Sequence, residues 1–319
     1  MRRAPALVLA LPFLAVPAAE ACEFCLLSQG ISPLESVRGA GLRVNERYSL
    51  LDGVYQGTRE VSNPGASEAF WTTDIAAFYS VMPKLTVLLN LPMRVTLGDG
   101  DVGTDAFGGV DFDTARGGDR GLGDIALLGR YSLFTFHTLT TTTTFAAQVG
   151  VKLPTGDTQG HDDDGNFLDA HTQLGTGSTD ALLGFTASHA CKRFSVSTNL
   201  LAALTTEGES GVDDHQFGDS INYDVTAKYR VSPPELGASP VQWFVSFGVN
   251  GEWRDREHEN GVVVADSGGH VVYLTPGLQA IVDGKWIFEA TFQSAVHHDL
   301  DGTQLGEAYK IAGSITYLF

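Results

Sequence analysis

The run Val241-Gln242-Trp243-Phe244-Val245-Ser246-Phe247-Gly248-Val249-Asn250-Gly251-Glu252-Trp253-Arg254 decides the fold. Val241, Trp243, Val245, Phe247, Val249 and Trp253 share one parity, while Gln242, Ser246, Asn250, Glu252 and Arg254 share the other. Successive side chains of a strand point to opposite faces, so this alternation predicts a strand with one apolar and one polar face. Lys285 to His297 repeats the pattern, with Trp286, Phe288, Ala290, Phe292 and Val296 against Glu289, Thr291, Gln293 and His297. Ile221 to Val231 sets Ile221, Tyr223, Val225, Ala227 and Tyr229 against Asn222, Asp224, Thr226, Lys228 and Arg230.

Nine weaker segments follow the same template, near 41–52, 69–81, 84–97, 122–134, 140–154, 177–189, 193–206, 271–282 and 308–319. The total of twelve is even, as in bacterial single-chain barrels, and each segment is long enough to cross the apolar layer at a tilt. The connections alternate in length. Short turns fall at Met82-Pro83-Lys84, Phe134 to Thr138, Ala190-Cys191-Lys192 and Asp283-Gly284, with a longer Pro-rich link from Ser232 to Pro240. Long loops fall near 53–68, 98–121, 155–176, 207–219, 255–270 and 298–307. Count, length and this asymmetry together predict an all-β fold, a closed antiparallel transmembrane β-barrel of about 12 strands over residues 40–319. Closure is required, because an open sheet edge in lipid would leave backbone groups unpaired.

No stretch after the first twenty residues is apolar enough, over about eighteen positions, for a transmembrane helix. The start reads as a secretory signal peptide over residues 1–21: Arg2 and Arg3 are the charged region, Ala6 to Val16 the apolar core, and Ala19-Glu20-Ala21 the cleavage site. Ala19 makes a poor lipoprotein signal. The ending Thr316-Tyr317-Leu318-Phe319 puts Tyr317 and Phe319 on the lipid side, the kind of terminus read by the barrel-assembly machinery. The expected location is therefore the bacterial outer membrane, with both termini in the periplasm and outer-membrane lipid and lipopolysaccharide around the wall.

Three stretches resemble a known family: Gly30-Ile31-Ser32-Pro33-Leu34, Lys152-Leu153-Pro154-Thr155-Gly156-Asp157, and Leu174-Gly175-Thr176-Gly177-Ser178-Thr179-Asp180. In these the chain resembles the outer-membrane barrel transporters grouped with the MetA pathway of phenol degradation. The resemblance implies a barrel that passes small, often hydrophobic compounds, and it brings no catalytic motif.

Alternation places Arg43, Arg47, Arg94, Arg130, Lys152, Lys228, Arg230, Arg254 and Lys310 in the lumen, with Asp74, Asp124, Asp180, Asp224, Glu252 and Glu289. Nine cations against six anions predict a polar channel mildly tolerant of anions, or a barrel filled by cross-lumen pairs. Glu46 falls on the lipid face, which predicts a bulge or register change in the first strand. The long loops are acidic, with Asp99, Asp101, Asp105, Asp111, Asp113 and Asp119 in the second, and Asp157, Asp162, Asp163, Asp164 and Asp169 in the third. The fourth carries Glu207, Glu209, Asp213, Asp214 and Asp219, and His161, His171, His215, His258, His270, His297 and His298 fall in loops or at their mouths. Carboxylates suit hard divalent cations and imidazole suits zinc, copper, iron or nickel. Asp162-Asp163-Asp164-Gly165-Asn166 is the candidate cation loop, although it lacks full EF-hand spacing; a solvated acidic rim bridged to lipopolysaccharide is the plainer reading.

Residues 22–39 would form a periplasmic N-terminal segment whose Cys22-Glu23-Phe24-Cys25 is either a disulfide between Cys22 and Cys25 or a metal or redox site. Leu26 excludes c-type haem attachment, and a βαβ context for a thioredoxin-like site is missing. A net charge of −18 argues against nucleic acid as a partner. The chain shows no catalytic constellation, so the expectation is not an enzyme and no cofactor beyond a divalent cation at the external loops or the cysteine pair. The leading reading is a passive outer-membrane channel for a small solute. One alternative is an occluded barrel whose acidic loops bind metal or a partner, and another is periplasmic metal or redox handling through the cysteines.

Overall fold

A computed structural model of the 319-residue chain describes residues 39–235 and 238–319. Residues 1–21, expected to be a signal peptide, and the cysteine pair Cys22 and Cys25 lie outside these residues. The described regular structure is all β: β1 (Ala40–Gly57), β2 (Arg59–Val61), β3 (Ser67–Met82), β4 (Leu85–Thr104), β5 (Val110–Gly117), β6 (Arg120–Leu122), β7 (Ile125–His137), β8 (Thr141–Leu153), β9 (Asp180–Cys191) and β10 (Phe194–Leu204). Then follow β11 (Gly208–Ser210), β12 (Asp213–Gln216), β13 (Ser220–Ser232), β14 (Val241–Arg254), β15 (His258–Glu259), β16 (Val262–Val263), β17 (Gly269–Val282) and β18 (Trp286–Leu318).

The wall runs β1-β3-β4-β7-β8-β9-β10-β13-β14-β17-β18, every neighbour antiparallel, and closes by pairing β18 with β1. A closed ring of purely antiparallel pairs needs an even number of passages, so one of these eleven elements must cross twice. It is β18. Its first half pairs with β17 up to Leu300, and its second half pairs with β1 from Leu300 to Leu318. The chain turns between them at Gly302, whose φ of 67° lies in the left-handed region. Trp286 packs on Tyr317 at 4.6 Å and Phe292 on Tyr309 at 5.9 Å across this hairpin. The wall therefore has twelve passages.

Turn chemistry agrees with the sequence at the short-turn end. Asp283 and Gly284 have φ of 53° and 66°, and Lys285 N–H donates to the Val282 carbonyl at 3.0 Å. Left-handed conformations at both central residues make a type I′ turn, whose twist matches that of the strands it joins.

The wall is inside out relative to a soluble protein. Phe247 is 53% exposed and Val249 40%, whereas Asn222 and Asp224 are almost fully buried inside. Tyr79, Phe134, Phe136, Trp243, Trp286 and Phe319 lie exposed near the short turns. At the other edge Tyr48 contacts Trp71 at 6.3 Å and Tyr309 at 6.2 Å. Aromatic girdles flanking an apolar band match the two water–lipid interfaces of an outer-membrane barrel.

Three features depart from expectation. Glu46 does stand on the outer face, but β1 keeps continuous register there; the first shift comes at Leu50/Leu51. The carboxylate is accommodated without a bulge because the Trp71 indole N–H donates to it at 2.5 Å and the Thr73 hydroxyl at 3.0 Å. Two of the long loops are largely strand rather than irregular chain: β4 continues to Thr104 against β5, and β18 runs on through 298–307. Buried Val54, Ala66 and Val102, packed with Val61, Val110, Phe112 and Leu305, give this extension its own apolar core. Finally, β11, β12, β15 and β16 form a separate four-stranded sheet from the loops near 207–219 and 255–270.

Candidate functional site: the lumen and its mouth

Within the long-loop half of the barrel lies a cavity of about 630 Å³. Its lower lining comes from wall strands, through Arg47, Asp74, Asn90, Arg94, Lys152, Asp180, Glu252 and Tyr273. Its upper lining comes from the loops, through Asp169, His171, Asp213, His215, Glu257 and Asp266. Further down the lumen, Phe78, Leu88, Leu128, Leu182 and Leu201 form a buried apolar cluster on the side of β3, β4, β7, β9 and β10.

Loop 155–176 folds over the cavity, clasped at both ends. Lys152 Nζ lies 3.4 Å from Asp124 and 2.5 Å from Asp180, all three side chains almost wholly buried. Asp124 accepts backbone N–H bonds from Thr155 and Gly156 at 3.0 Å and from Thr176 at 2.9 Å. Asp180 accepts from the Ser178 hydroxyl at 2.9 Å and the Thr206 N–H at 3.0 Å. At the loop's base Gly156 and Gly175 bring two backbones together; a Cβ on Gly156 would sit 2.5 Å from the Gly175 Cα. Only glycine allows that approach. Two of the three stretches carrying the family resemblance thus form this clasp. Inside the loop, Gln173 is fully buried and bonds the Gly160 N–H at 2.8 Å and the Leu168 carbonyl at 3.0 Å. Arg94 donates to the Leu174 carbonyl at 2.8 Å and the Thr96 hydroxyl to the Thr172 carbonyl at 2.6 Å, which ties the loop to the wall.

At the mouth Glu257 joins three loop regions. His171 Nε2 and His215 Nε2 each lie 3.1 Å from its Oε2, and Arg254 Nη1 is 3.9 Å from Oε1. Phe217 meets both imidazoles edge-on. Burial works against the charge on His171, but the Glu257 charge and hydrogen bond outweigh it and lift its pKa to about 10. Burial likewise opposes the charge on Glu257, and the His171 charge and the two imidazole hydrogen bonds hold its carboxyl well below the usual range.

Other lumen residues named from sequence form local pairs. Glu289 takes Arg43 at 3.1 Å, Lys228 at 2.9 Å and Gln279 at 2.6 Å. Lys310 binds Glu307 at 2.9 Å and lies 4.4 Å over the Tyr273 ring. Asp224 accepts from Asn199 at 2.8 Å, and Asp74 from Asn90 at 3.1 Å. Arg130 donates to Thr186 at 3.3 Å, and Arg230 is buried on β13. Sequence alternation missed Glu257, which lies in the loop after β14, and Glu307, which lies in β18 where the register with β1 shifts at Leu50/Leu51. Their addition brings the lumen from nine cations against six anions to nine against eight, which removes most of the expected cationic excess.

Asp162, Asp163 and Asp164 do not converge. Asp162 Oδ1 accepts the Asp164 and Asn166 N–H groups at 3.0 and 2.7 Å, an Asx turn that stiffens the loop tip. Among the described residues, no group of three or more His, Cys, Asp or Glu side chains is arranged to hold a metal ion. Cys191 is a free thiol at the short-turn end.

A closed antiparallel wall, apolar outside and polar within, with long loops at one rim and short turns at the other, defines an outer-membrane β-barrel. The chain belongs to the family described as the MetA pathway of phenol degradation, which matches residues 54–309. Among solved structures it is similar to the COG4313 outer membrane channel from Pseudomonas putida F1, with 14% identity over 91% of this chain and 100% of the other at a TM-score of 0.66. More distant are the β domain of the Bordetella autotransporter BrkA, at 12% identity over 88% of this chain and all of the other with TM-score 0.43, and the NanC porin, at 9% over 87% and all of the other with TM-score 0.42. No curated protein matches the chain.

Proposed function

We propose that the protein is a passive channel for a small solute across the outer membrane. The observation that carries this reading is the cavity itself: about 630 Å³ of space, lined by apolar as well as charged side chains, inside a closed wall whose outside is apolar. A barrel kept only as an anchor would have no need of such space. The fold shared with a solved outer membrane channel supports the same reading. In it the long-loop rim faces outward, toward lipopolysaccharide, and both termini face the periplasm. The reading includes no catalytic step.

The test is single-channel conductance of the protein without residues 1–21 in a planar bilayer, with and without residues 22–39. Discrete steps in the longer form are expected. Steps only after truncation would make residues 22–39 a plug in a channel. Silence in both forms would contradict an aqueous channel.

A further inference from the structure

Glu46 stands partly exposed on the outer face of β1, opposite Thr73 of β3 and Gly313 of β18. The outward positions next along the sheet include Val44, Ile75, Ile311 and Ile315, and none of them is a cation. The Trp71 indole N–H and the Thr73 hydroxyl donate to the carboxylate from the β3 side, at 2.5 and 3.0 Å. The β18 side is open: Gly313 has no side chain, and a Cβ built there would lie 3.9 Å from its nearest neighbour, the Glu289 carbonyl oxygen. An ionisable side chain at membrane depth is costly and marks a site with a partner to be named. A carboxylate has about four acceptor positions, and two donors of the protein leave part of that capacity directed at the lipid.

A second observation is aromatic. Just beyond Glu46, toward the long-loop rim, Trp71, Tyr48, Tyr309 and Phe292 form an unbroken row across β3, β1 and both halves of β18. Their ring centroids are spaced 6.3, 6.2 and 5.9 Å apart, and all four side chains keep accessible surface. Scattered aromatics suit any water–lipid interface. A row of rings beside a carboxylate suits a sugar in particular. The negative ring faces attract the C–H bonds of a sugar, and its hydroxyl or amide groups donate to the carboxylate. A phospholipid ammonium group would satisfy Glu46 and leave the row unused. A two-fold contact with a second copy centred here would bring two Glu46 carboxylates together without a cation.

We infer that this patch binds the glycolipid of the outer leaflet, lipopolysaccharide, through its lipid A disaccharide. The sugar stacks on Trp71, Tyr48 and Tyr309, an amide or hydroxyl group donates to Glu46, and acyl chains lie along Val44, Ile311 and Ile315, which are 37%, 48% and 48% exposed. Stacking and hydrogen bonds carry the contact rather than phosphate charge, because the exposed Asp52 follows on the same strand. The inference rests on the reading that the long-loop rim faces outward, and it is independent of conduction.

The test is native mass spectrometry of the protein without residues 1–21, released from detergent micelles and titrated with lipid A or with phosphatidylethanolamine. EDTA is present throughout, so that divalent bridges to acidic loops do not contribute. The unaltered protein is expected to retain one lipid A in preference to phosphatidylethanolamine. Glu46→Leu and Trp71→Leu should each weaken retention about tenfold, as loss of a hydrogen bond to a charged group predicts. Trp253→Leu, which removes an aromatic from the long-loop end of β14 away from the patch, should leave it unchanged. Each variant is checked for β content by circular dichroism, and either patch variant decides if the other does not fold. Equal retention of the two lipids, undiminished retention by a folded patch variant, or an equal loss in Trp253→Leu would overturn the inference. None of these outcomes bears on the conductance that tests the channel reading.

Discussion

The wall and the canopy of long loops are built on opposite principles. In the wall each residue's environment follows from its parity, and lipid on one side with the polar lumen on the other makes any one-residue slip costly along a whole strand. In the canopy no such repeat operates. Its shape depends on a few buried polar contacts between residues far apart in sequence, such as Lys152 with Asp124 and Asp180, or Glu257 with His171 and His215. The wall is specified redundantly, whereas the canopy depends on individual residues. Single substitutions should therefore disturb the canopy while leaving the barrel in place.

The largest effect is expected at the clasp. Lys152→Met leaves the Asp124 and Asp180 carboxylates buried without their cation, at a cost of about 3–5 kcal/mol. Loop 155–176 should become open to protease while the wall keeps its β content. Unchanged protease resistance with a lowered unfolding temperature for the whole barrel would show that the clasp belongs to the wall and erase the distinction.

A smaller effect is expected at the mouth. The raised pKa of His171 means that its contribution is fully present below its ordinary pKa near 6.5 and is lost as pH rises through about 10. Glu257 has the opposite sign: its folded-state pKa is depressed, so its contribution is present above its ordinary value near 4.5 and is lost as pH falls below that. Loop protection should be greatest between these limits and decline toward pH 10. His171 is partly exposed, so solvent screens the pair and the change should stay near 1 kcal/mol or below. His171→Ala should flatten the alkaline arm, as read by proteolysis rate against pH; an alkaline arm that persists in the variant would assign it elsewhere.

The same contrast explains what could be read from sequence. Strand β14 was legible because Trp243, Val245, Phe247 and Val249 alternate with polar residues over its whole length. The hairpin inside β18 was legible through its two separate alternating runs, although the intervening Asp301-Gly302 read as the tip of a longer loop. The lumen cations were legible by parity. The charge of the cavity was not, because it depends on which way the acidic loops fold, and Asp169, Asp213 and Glu257 have no periodicity to announce it. The glycines at 156 and 175 were visible as motif residues, but their role needed the backbone contact between them. Glu46 misled in the other direction. A charge on the lipid face suggested a fault in register, and the partners that make it tolerable, Trp71 and Thr73, come from the neighbouring strand.

The central claim, a closed wall with lipid outside and a polar lumen inside, is tested most directly along β14. Spin labels placed singly from Phe244 to Asn250, in protein reconstituted into lipid, would be measured for collision with oxygen and with a water-soluble nickel chelate. The account predicts strict alternation: labels at 245, 247 and 249 favour oxygen, and labels at 244, 246, 248 and 250 favour the chelate or are shielded from both. Equal access at adjacent positions, or chelate access at 247 and 249, would contradict it.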